Sequence, residues 1–201
     1  MFMQDIRHFE PAQPVDLLAR FMNRQPGGVA GATLSETEDG WRRADALVPG
    51  MRVATWDGGF RPLLAVDTAR RHPAGRSLIR VPGGVLNNCG AVWLDPDQRV
   101  LIQSPVVAAV LEAEAALLPA AALEGYRGIA RLAQPAPMGI TTLRLAEDEV
   151  IFAASGLCLH CPSGQGADAG YHPVLDLARG RDLMALIGCG ALRLDELPRA
   201  A

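Results

Sequence analysis

The densest group of potentially reactive side chains is the run CLHC, residues 158–161. Thiolates and imidazoles are ligands that zinc prefers, and closely spaced cysteines also carry redox chemistry. A structural zinc ion needs four ligands, and the other candidates occur singly: Cys89, Cys189 and His172. The run continues into PSGQG rather than into a helix start, which disfavours a redox dithiol. For Cys158, His160 and Cys161 we therefore expect accessible spare thiols near a loop, with a metal or thiol module as the alternative.

A second polar feature is the corner Asp95-Pro96-Asp97-Gln98, which leads directly into the apolar residues 100–102. Proline between two aspartates is typical of a tight turn. Gln98 then places an amide where the turn enters the core. An amide can donate and accept hydrogen bonds but does not titrate near neutral pH. Gln98 can therefore hold a contact, but it cannot shuttle a proton.

Composition excludes several classes of function. The chain is 49% hydrophobic, and its 19 basic and 22 acidic residues leave a net charge of −3. That balance predicts no affinity for nucleic acid or for an anionic membrane surface. The glycine-rich stretches at 25–31 and 81–85 lack the Lys-Ser/Thr ending of a phosphate-binding loop, so they are predicted to be turns. No cofactor is predicted.

The targeting signals and the cysteine count indicate where in the cell the protein is expected. No apolar stretch reaches the ~20 residues that span a bilayer. The first 25 residues lack the basic start and apolar run of a signal peptide. We therefore expect a cytoplasmic protein, with non-classical secretion as the alternative. Four free cysteines fit that setting, and Cys89 and Cys189 are predicted to be buried as small apolar groups.

The elements that must position these groups are mostly short strands separated by turn residues. Hairpins are predicted over 33–44, 51–66 and 140–154, with turns at Asp-Gly, Asp-Gly-Gly and Ala-Glu-Asp. Further strands are predicted over 77–81 and 99–103. Several short strands at this spacing favour a mostly β fold.

Helices are predicted to be few and short. One lies near 105–113, followed by a strand around 115–118, because Pro119 cannot sit inside a continuous helix. A second helix is predicted near 181–187, ended by Gly188. A short amphipathic helix is expected over 14–24, and a flexible loop over 164–170.

The order of these segments resembles the Hint (Hedgehog/intein) domain family, in particular its bacterial stand-alone branch. Ala32-Thr33 stands where the family has Gly-Thr, and the turn Asp39-Gly40-Trp41 follows. LVPGMRV is then similar to L-x-P-G-D-x-V, DGGFRPL to DGGFQPV, and LDPDQRVLI to SPxHRVLL. The resemblance continues to TTLRLAEDEVIFAASGL and covers roughly residues 28 to 157.

The resemblance implies a mostly β Hint-like fold and, in active relatives, self-processing. In such a domain a cysteine or serine at the start attacks the preceding peptide carbonyl and shifts the acyl group to sulfur or oxygen. A hydroxyl and a histidine, spaced Ser/Thr-x-x-His, hold and polarise that amide. They are needed because an amide is a poor electrophile, and its leaving nitrogen must receive a proton.

The positions equivalent to the family's reacting groups carry other residues here. The nucleophile falls at or near Gly28, and PGGVAGAT offers no Cys, Ser or Thr before its last residue. Asp95 replaces the hydroxyl, and Gln98 replaces the histidine. Asp148 lies nearest to a later family histidine, with Thr142 on the preceding strand.

These replacements predict a Hint fold without self-cleavage, acting as a structural or protein-interaction module with an unknown partner. The alternative is active autoproteolysis with non-standard residues. Thr33 and Ser35 are the nearest hydroxyls, but they lie several residues beyond the expected cleavage point. We expect an N-terminal lead-in over 1–27, the Hint-like domain over 28–160, and a loop with a C-terminal appendage over 161–201.

Overall fold

The computed structural model describes residues 27–56, 58–71, 77–163 and 172–190. The helix predicted over 14–24, the loop predicted over 164–170 and Asp57 of the second predicted turn lie outside these residues. The described part of the chain is mostly β and contains two α-helices, α1 (Pro105–Leu111) and α2 (Leu177–Gly188). It also has three short 3-10 helices, at Ala44–Ala46, Ala120–Leu123 and Tyr126–Gly128. Its strands, in chain order, are β1 (Val29–Ala30), β2 (Leu34–Thr37), β3 (Gly40–Arg43), β4 (Arg52–Thr55), β5 (Gly59–Pro62), β6 (Ala65–Arg71), β7 (Leu78–Val81), β8 (Val92–Leu94), β9 (Arg99–Gln103), β10 (Ala115–Pro119), β11 (Ala130–Leu132), β12 (Met138–Arg144), β13 (Glu149–Ala153) and β14 (Leu157–Cys161).

The strands form two sheets, and within each sheet neighbouring strands pair in antiparallel orientation. Within the described residues one sheet has the order β11-β7-β8-β1-β12-β6. The other has the order β10-β9-β14-β13-β2-β4-β5, with β3 paired to β2. The mostly β architecture predicted from the sequence is therefore confirmed.

Two of the three predicted hairpins are confirmed. β2 pairs with β3, and β4 pairs with β5, each by four residue pairs in register. The third hairpin, predicted over 140–154, is wrong. β12 pairs with β6 and β1 in one sheet, whereas β13 pairs with β14, β2 and β4 in the other. The chain crosses between the sheets at 145–148 because each strand finds its ladder with a partner outside the predicted hairpin.

Helix α1 and the strand after it agree with the sequence. Ser104 caps the helix, and its Oγ accepts hydrogen bonds from the backbone N–H groups of Val106 and Val107 at 3.1 and 3.4 Å. Pro105 occupies the first helical position, where a missing N–H is tolerated. Glu112 ends the helix with φ +52°, and β10 then pairs along β9.

Helix α2 begins before the predicted residue 181. Asp176 caps it by accepting a hydrogen bond from the N–H of Arg179 at 2.9 Å. Gly180 lies inside the helix although glycine disfavours helices by about 1 kcal/mol relative to alanine. The absence of a side chain at Gly180 allows close packing, because a Cβ there would lie 2.9 Å from the Cβ of Ala122. Neither α1 nor α2 is long and apolar enough to cross a bilayer, and the described residues contain no other α-helix.

One large core joins the two sheets and α2. Buried members include Val29 and Leu94 from the first sheet, Val100 and Leu159 from the second, and Leu183 from α2. The strand residue Leu117 also exchanges backbone hydrogen bonds with residues 173 and 175. The described part of the segment after 161 thus packs on the rest of the fold, while the domain division itself stays a prediction.

Candidate functional site

The residues before β1 run between the corner at 95–98 and strand β12. The carbonyl oxygen of Gly28 accepts a hydrogen bond from the backbone N–H of Asp95 at 2.8 Å. The carbonyl oxygen of Gly27 accepts one from the Oγ1 hydroxyl of Thr142 at 3.1 Å. Two successive peptide groups are therefore held by polar contacts: the one before Gly28 by Thr142, and the one after Gly28 by the backbone of Asp95.

Both positions require glycine, because neighbouring atoms leave no room for a Cβ. A Cβ on Gly27 would lie 2.1 Å from the Cα and from the backbone nitrogen of Gln98. A Cβ on Gly28 would lie 2.7 Å from Cγ2 of Ile140 and 2.9 Å from the carbonyl oxygen of Thr141. Contacts this short exceed what a close-packed interior absorbs without movement. The space at Gly28 is thus filled by β12 and not open for a side chain.

Asp95 closes the corner. It is 4% exposed, and its Oδ1 accepts a hydrogen bond from the N–H of Asp97 at 3.0 Å. Its carbonyl oxygen accepts one from the N–H of Gln98 at 2.9 Å. These bonds form a turn in which an aspartate side chain binds the backbone two residues later. The side chain thereby fixes the shape of the corner.

Gln98 links the corner to two other parts of the chain. Its Nε2 donates to the carbonyl oxygens of Arg99 and His160, at 2.8 and 2.9 Å, and the side chain is buried. The backbone carbonyl oxygen of Gln98 accepts a hydrogen bond from the N–H of Ala120 at 2.7 Å. The amide therefore ties the start of β9 to the end of β14.

Asp148 reaches this region through His160. One carboxylate oxygen of Asp148 accepts a hydrogen bond from the N–H of Ser163 at 2.7 Å. The other lies 3.7 Å from Nε2 of His160, which is an electrostatic contact rather than a hydrogen bond. Burial lowers the pKa of His160 below its ordinary 6.5, and the nearby Asp148 carboxylate opposes that shift.

A cavity of about 10 Å³ lies where these groups meet. Gly27, Gln98, His160 and Cys161 contribute to its wall. That volume is close to the ~10–15 Å³ that one water molecule needs. The fold therefore brings Gln98 to a space of about the size of one water, next to Gly27 and His160. Gly28 and Asp95 are joined by a backbone hydrogen bond, and Asp148 lies beside His160.

Comparison with known proteins identifies the family. The family described as "Hint domain" matches residues 29–160, most of the chain. This chain belongs to the Hint domain family. No curated protein matches it.

Solved structures similar to this Hint domain are inteins and intein-like domains. The crystal structure of the gp41-1 intein is 10% identical, with 67% of this chain and 98% of that chain covered and a TM-score of 0.45. The crystal structure of the MchDnaB-1 intein is 17% identical in sequence, with 66% of this chain and 98% of that chain covered and a TM-score of 0.41. The solution structure of a bacterial intein-like domain from Clostridium thermocellum is 10% identical in sequence, with 68% of this chain and 99% of that chain covered and a TM-score of 0.47.

The CLHC run of this Hint domain forms strand β14, not a loop. Side chains three residues apart on a strand point to opposite faces. Cys161 accordingly packs in the large core, whereas Cys158 packs in a separate cluster with Leu101 and Val150. Two thiolates on opposite faces cannot share one ion. The described residues contain no group of three or more potential ligands suited to a metal.

The predicted exposure of all four cysteines is reversed. Cys158 and Cys161 are buried rather than accessible, and Cys89 and Cys189 are exposed rather than buried. Burial raises the pKa of the Cys158 thiol to about 11. Burial, with Glu149 nearby, raises that of Cys161 to about 12. Both thiols are therefore protonated at neutral pH, which argues against the redox alternative.

Sequence reasoning missed two contacts at the Hint-domain site. His160 was predicted only as a metal candidate, yet its carbonyl oxygen binds Gln98 and its ring faces Asp148. Thr142 was placed only on the strand before Asp148, yet its hydroxyl binds the carbonyl oxygen of Gly27. The period-2 pattern of β12 and β14 gives each residue a face, but it does not indicate which distant segment that face meets.

Proposed function

We propose that this Hint domain does not cleave itself and serves as a structural or protein-interaction module. The observation that carries the proposal is the packing at Gly28. A Cβ at that position would lie 2.7 Å from Ile140 and 2.9 Å from the carbonyl oxygen of Thr141. An attacking thiol or hydroxyl needs both a side chain and room to approach the preceding carbonyl, and Gly28 provides neither.

The polar groups of the corner support the same proposal. Oδ1 of Asp95 binds the N–H of Asp97, and Nε2 of Gln98 binds two backbone carbonyl oxygens. These bonds use the side chains to fix the backbone. An amide also cannot deliver a proton to a leaving nitrogen.

Self-processing with non-standard residues is the second candidate, and one observation favours it. The hydroxyl of Thr142 donates to the carbonyl oxygen of Gly27 at 3.1 Å, which is the contact that would polarise the peptide bond before Gly28. The neutral form of His160, favoured by burial, lies beside the same cavity and could accept a proton.

Intact-mass spectrometry separates the two candidates. The full chain is produced with an N-terminal fusion partner and incubated with and without thiol or hydroxylamine. We expect a single intact mass under all conditions, because no side chain attacks the carbonyl of Gly27. A fragment that begins near Gly28 would overturn the proposal, and its loss in a Thr142→Val variant would establish the second candidate.

A Gly28→Cys variant tests the packing argument directly. We expect it to stay uncleaved and to lose about 1–3 kcal/mol of unfolding free energy, because the new side chain must displace β12. Gly90→Cys is the matched control, since a Cβ there meets no atom within 4 Å. Efficient cleavage of Gly28→Cys would show that the site keeps room for the chemistry.

A further inference from the structure

The first sheet has a second apolar face, on the side away from the large core. Successive residues of a strand point to opposite faces of a sheet. Val29, Ile79 and Leu94 pack in the large core, so the residues next to them in the chain point away from it. Those neighbours belong to a separate apolar cluster, which we call the outer face. It is formed by Ala30, Leu78 and Ile140, with Trp93 and Met138 packed against them.

Strand pairing extends the outer face to strand β11. Ala30 lies in register with Ile140, and Leu78 lies in register with Leu132. Residues opposite each other in a ladder have their side chains on the same face. Leu132 is 42% exposed, and Trp93 is half-buried. An antiparallel sheet that faces water usually presents polar residues on that side, so an apolar outer face indicates a surface that packs against another element.

The two α-helices of the described residues pack elsewhere. Both contact β10, in the other sheet, and they contact each other. Within the described ranges neither has a comparable contact with β1, β7, β8 or β12. Arg80 lies in register with Trp93 and adds one charge beside the outer face. The hydrocarbon stem of an arginine covers apolar surface, so this charge is compatible with an apolar partner.

Residues 1–26 precede the described part of the chain and join it beside the outer face. Gly27 leads into β1, which lies between β8 and β12. Those two strands carry Trp93 and Ile140, and neighbouring strands are about 4.8 Å apart. A link of two residues, Gln25-Pro26, spans at most ~7 Å. The residues just before this link are therefore within reach of the outer face.

The segment 14–24 has the pattern of a short amphipathic helix. Its larger apolar residues fall on one side of such a helix: Leu17, Leu18, Phe21 and Met22. An isolated helix of this length is marginal in water, so it needs an apolar surface to pack against. A helix over 14–24 would be about 16 Å long. Ala30 lies about 10 Å along β1 from Gly27, so a helix that runs back from Gly27 over the sheet reaches it.

We propose that residues 14–24 bind to the outer face as an amphipathic helix, which makes the N-terminal segment part of this Hint domain. The apolar side of the helix lies against Trp93 and Leu132, and both partners remove apolar surface from water. The short link to Gly27 gives the segment an effective concentration in about the millimolar range. This docking does not depend on whether the chain cleaves itself.

Photo-cross-linking of the full chain locates the segment. Phe21 is replaced by p-benzoylphenylalanine, which on irradiation reacts with C–H bonds that it contacts. We expect mass spectrometry to find cross-links to peptides that contain residues of the outer face. The same amino acid at Asn23, on the other side of the helix, is the matched control and should give at least ~5-fold less of these products. Cross-links only to other parts of the fold, or covalent dimers from docking on a second copy, would overturn the proposal.

Added charge tests whether apolar side chains hold the segment in place. Trp93 serves as the reporter once Trp41 and Trp56, the other two tryptophans, are replaced by phenylalanine. In this background we expect Leu18→Glu/Phe21→Glu to raise the acrylamide quenching constant of Trp93 at least ~2-fold, because a carboxylate is not buried without a partner.

The matched control for this measurement is Ala19→Glu/Asn23→Glu. It adds the same charge on the other side of the helix, and we expect it to leave the quenching of Trp93 unchanged. Thermal melting verifies that each variant folds. Equal quenching in both double variants, or no increase in Leu18→Glu/Phe21→Glu, would overturn the proposal.

Discussion

The Nε2 atom of Gln98 contacts two carbonyl oxygens that belong to different strands. This arrangement makes the amide a structural link between β9 and β14. Asp95 has a comparable part in the corner, because its carboxylate binds the backbone of Asp97. At the residue scale, the polar groups of the corner stabilise the fold by binding backbone groups.

Gln98→Ala is expected to lower the free energy of unfolding by about 1–3 kcal/mol, because two carbonyl oxygens lose their donor in a buried setting. Urea denaturation measures the change. Gln103→Ala is the matched control, because the amide of Gln103 makes an exposed contact to Glu114. Similar small effects in both variants would show that Gln98 is not a structural link.

His160 predicts a dependence of stability on pH. Burial lowers its pKa in the folded state below the ordinary 6.5. The unfolded state therefore takes up the proton first as pH falls, and stability is lost below about pH 6.5. We expect the free energy of unfolding to be lower at about pH 5.5 than at about pH 7.5, with a smaller difference in His160→Gln.

The control for this prediction is His172→Gln, which should keep most of the dependence on pH, because His172 has the smallest of the effects that set the pKa of His160. Urea denaturation at both pH values measures all three proteins. An unchanged difference in His160→Gln would show that other groups cause the dependence on pH.

The sequence predicted the turn at the corner correctly. It placed Asp95 and Gln98 in one corner, because a four-residue turn is a local structure. It did not predict that Thr142 would contact Gly27 or that His160 would contact Gln98. Those contacts join residues far apart in the chain, and the pairing of strands that brings them together is not encoded in any short segment.

Helix α2 shows the same limit at the scale of an element. A helix was predicted near 181–187, and the structure has one there, but it begins earlier, at Leu177. The sequence did not predict that start because Gly180 has a low helix propensity. Close packing of that glycine against Ala122 makes the helix part of the core surface. Leu183 and Met184 are buried there, while Leu186 on the same helix is 41% exposed.

Leu183→Ala is expected to destabilise the protein by about 2–4 kcal/mol, because it leaves a cavity between α2 and the core. Leu186→Ala provides the same substitution at an exposed site, and we expect its effect to stay within about 0.5 kcal/mol. Chemical denaturation measures both. Equal effects of the two substitutions would mean that α2 does not pack as a core element.

At the scale of the whole molecule, the two sheets share one buried core. That core includes Val29 and Leu94 from one sheet and Val100 and Leu159 from the other. Elements that bury the same apolar surface stabilise each other and tend to unfold together. The protein should therefore behave as one cooperative unit.

We expect a single unfolding transition, observed by two tryptophans in different parts of the fold. Trp93 lies on β8 of one sheet, and Trp56 directly follows β4 of the other. Variants that keep only one of these tryptophans should give the same denaturation midpoint by fluorescence. Two separate midpoints would show that the sheets unfold independently.

The sequence by itself determined the local features of this Hint domain. Alternating residues with Asp-Gly turns specified the first two hairpins, and Ser104 with Pro105 specified the start of α1. The ordered motifs specified the family. Each of these depends on residues within a few positions of one another, so its physical cause lies in a short segment.

Only the tertiary structure decided which strands share a sheet and which side chains are buried. Residues 140–154 have the pattern of a hairpin, yet β12 and β13 lie in different sheets. The exposure of the cysteines was likewise set by the packing of β14, which buries Cys158 and Cys161 on opposite faces. Strand periodicity gives each side chain a face, but the partner of that face depends on the pairing that buries the most apolar surface over the whole chain.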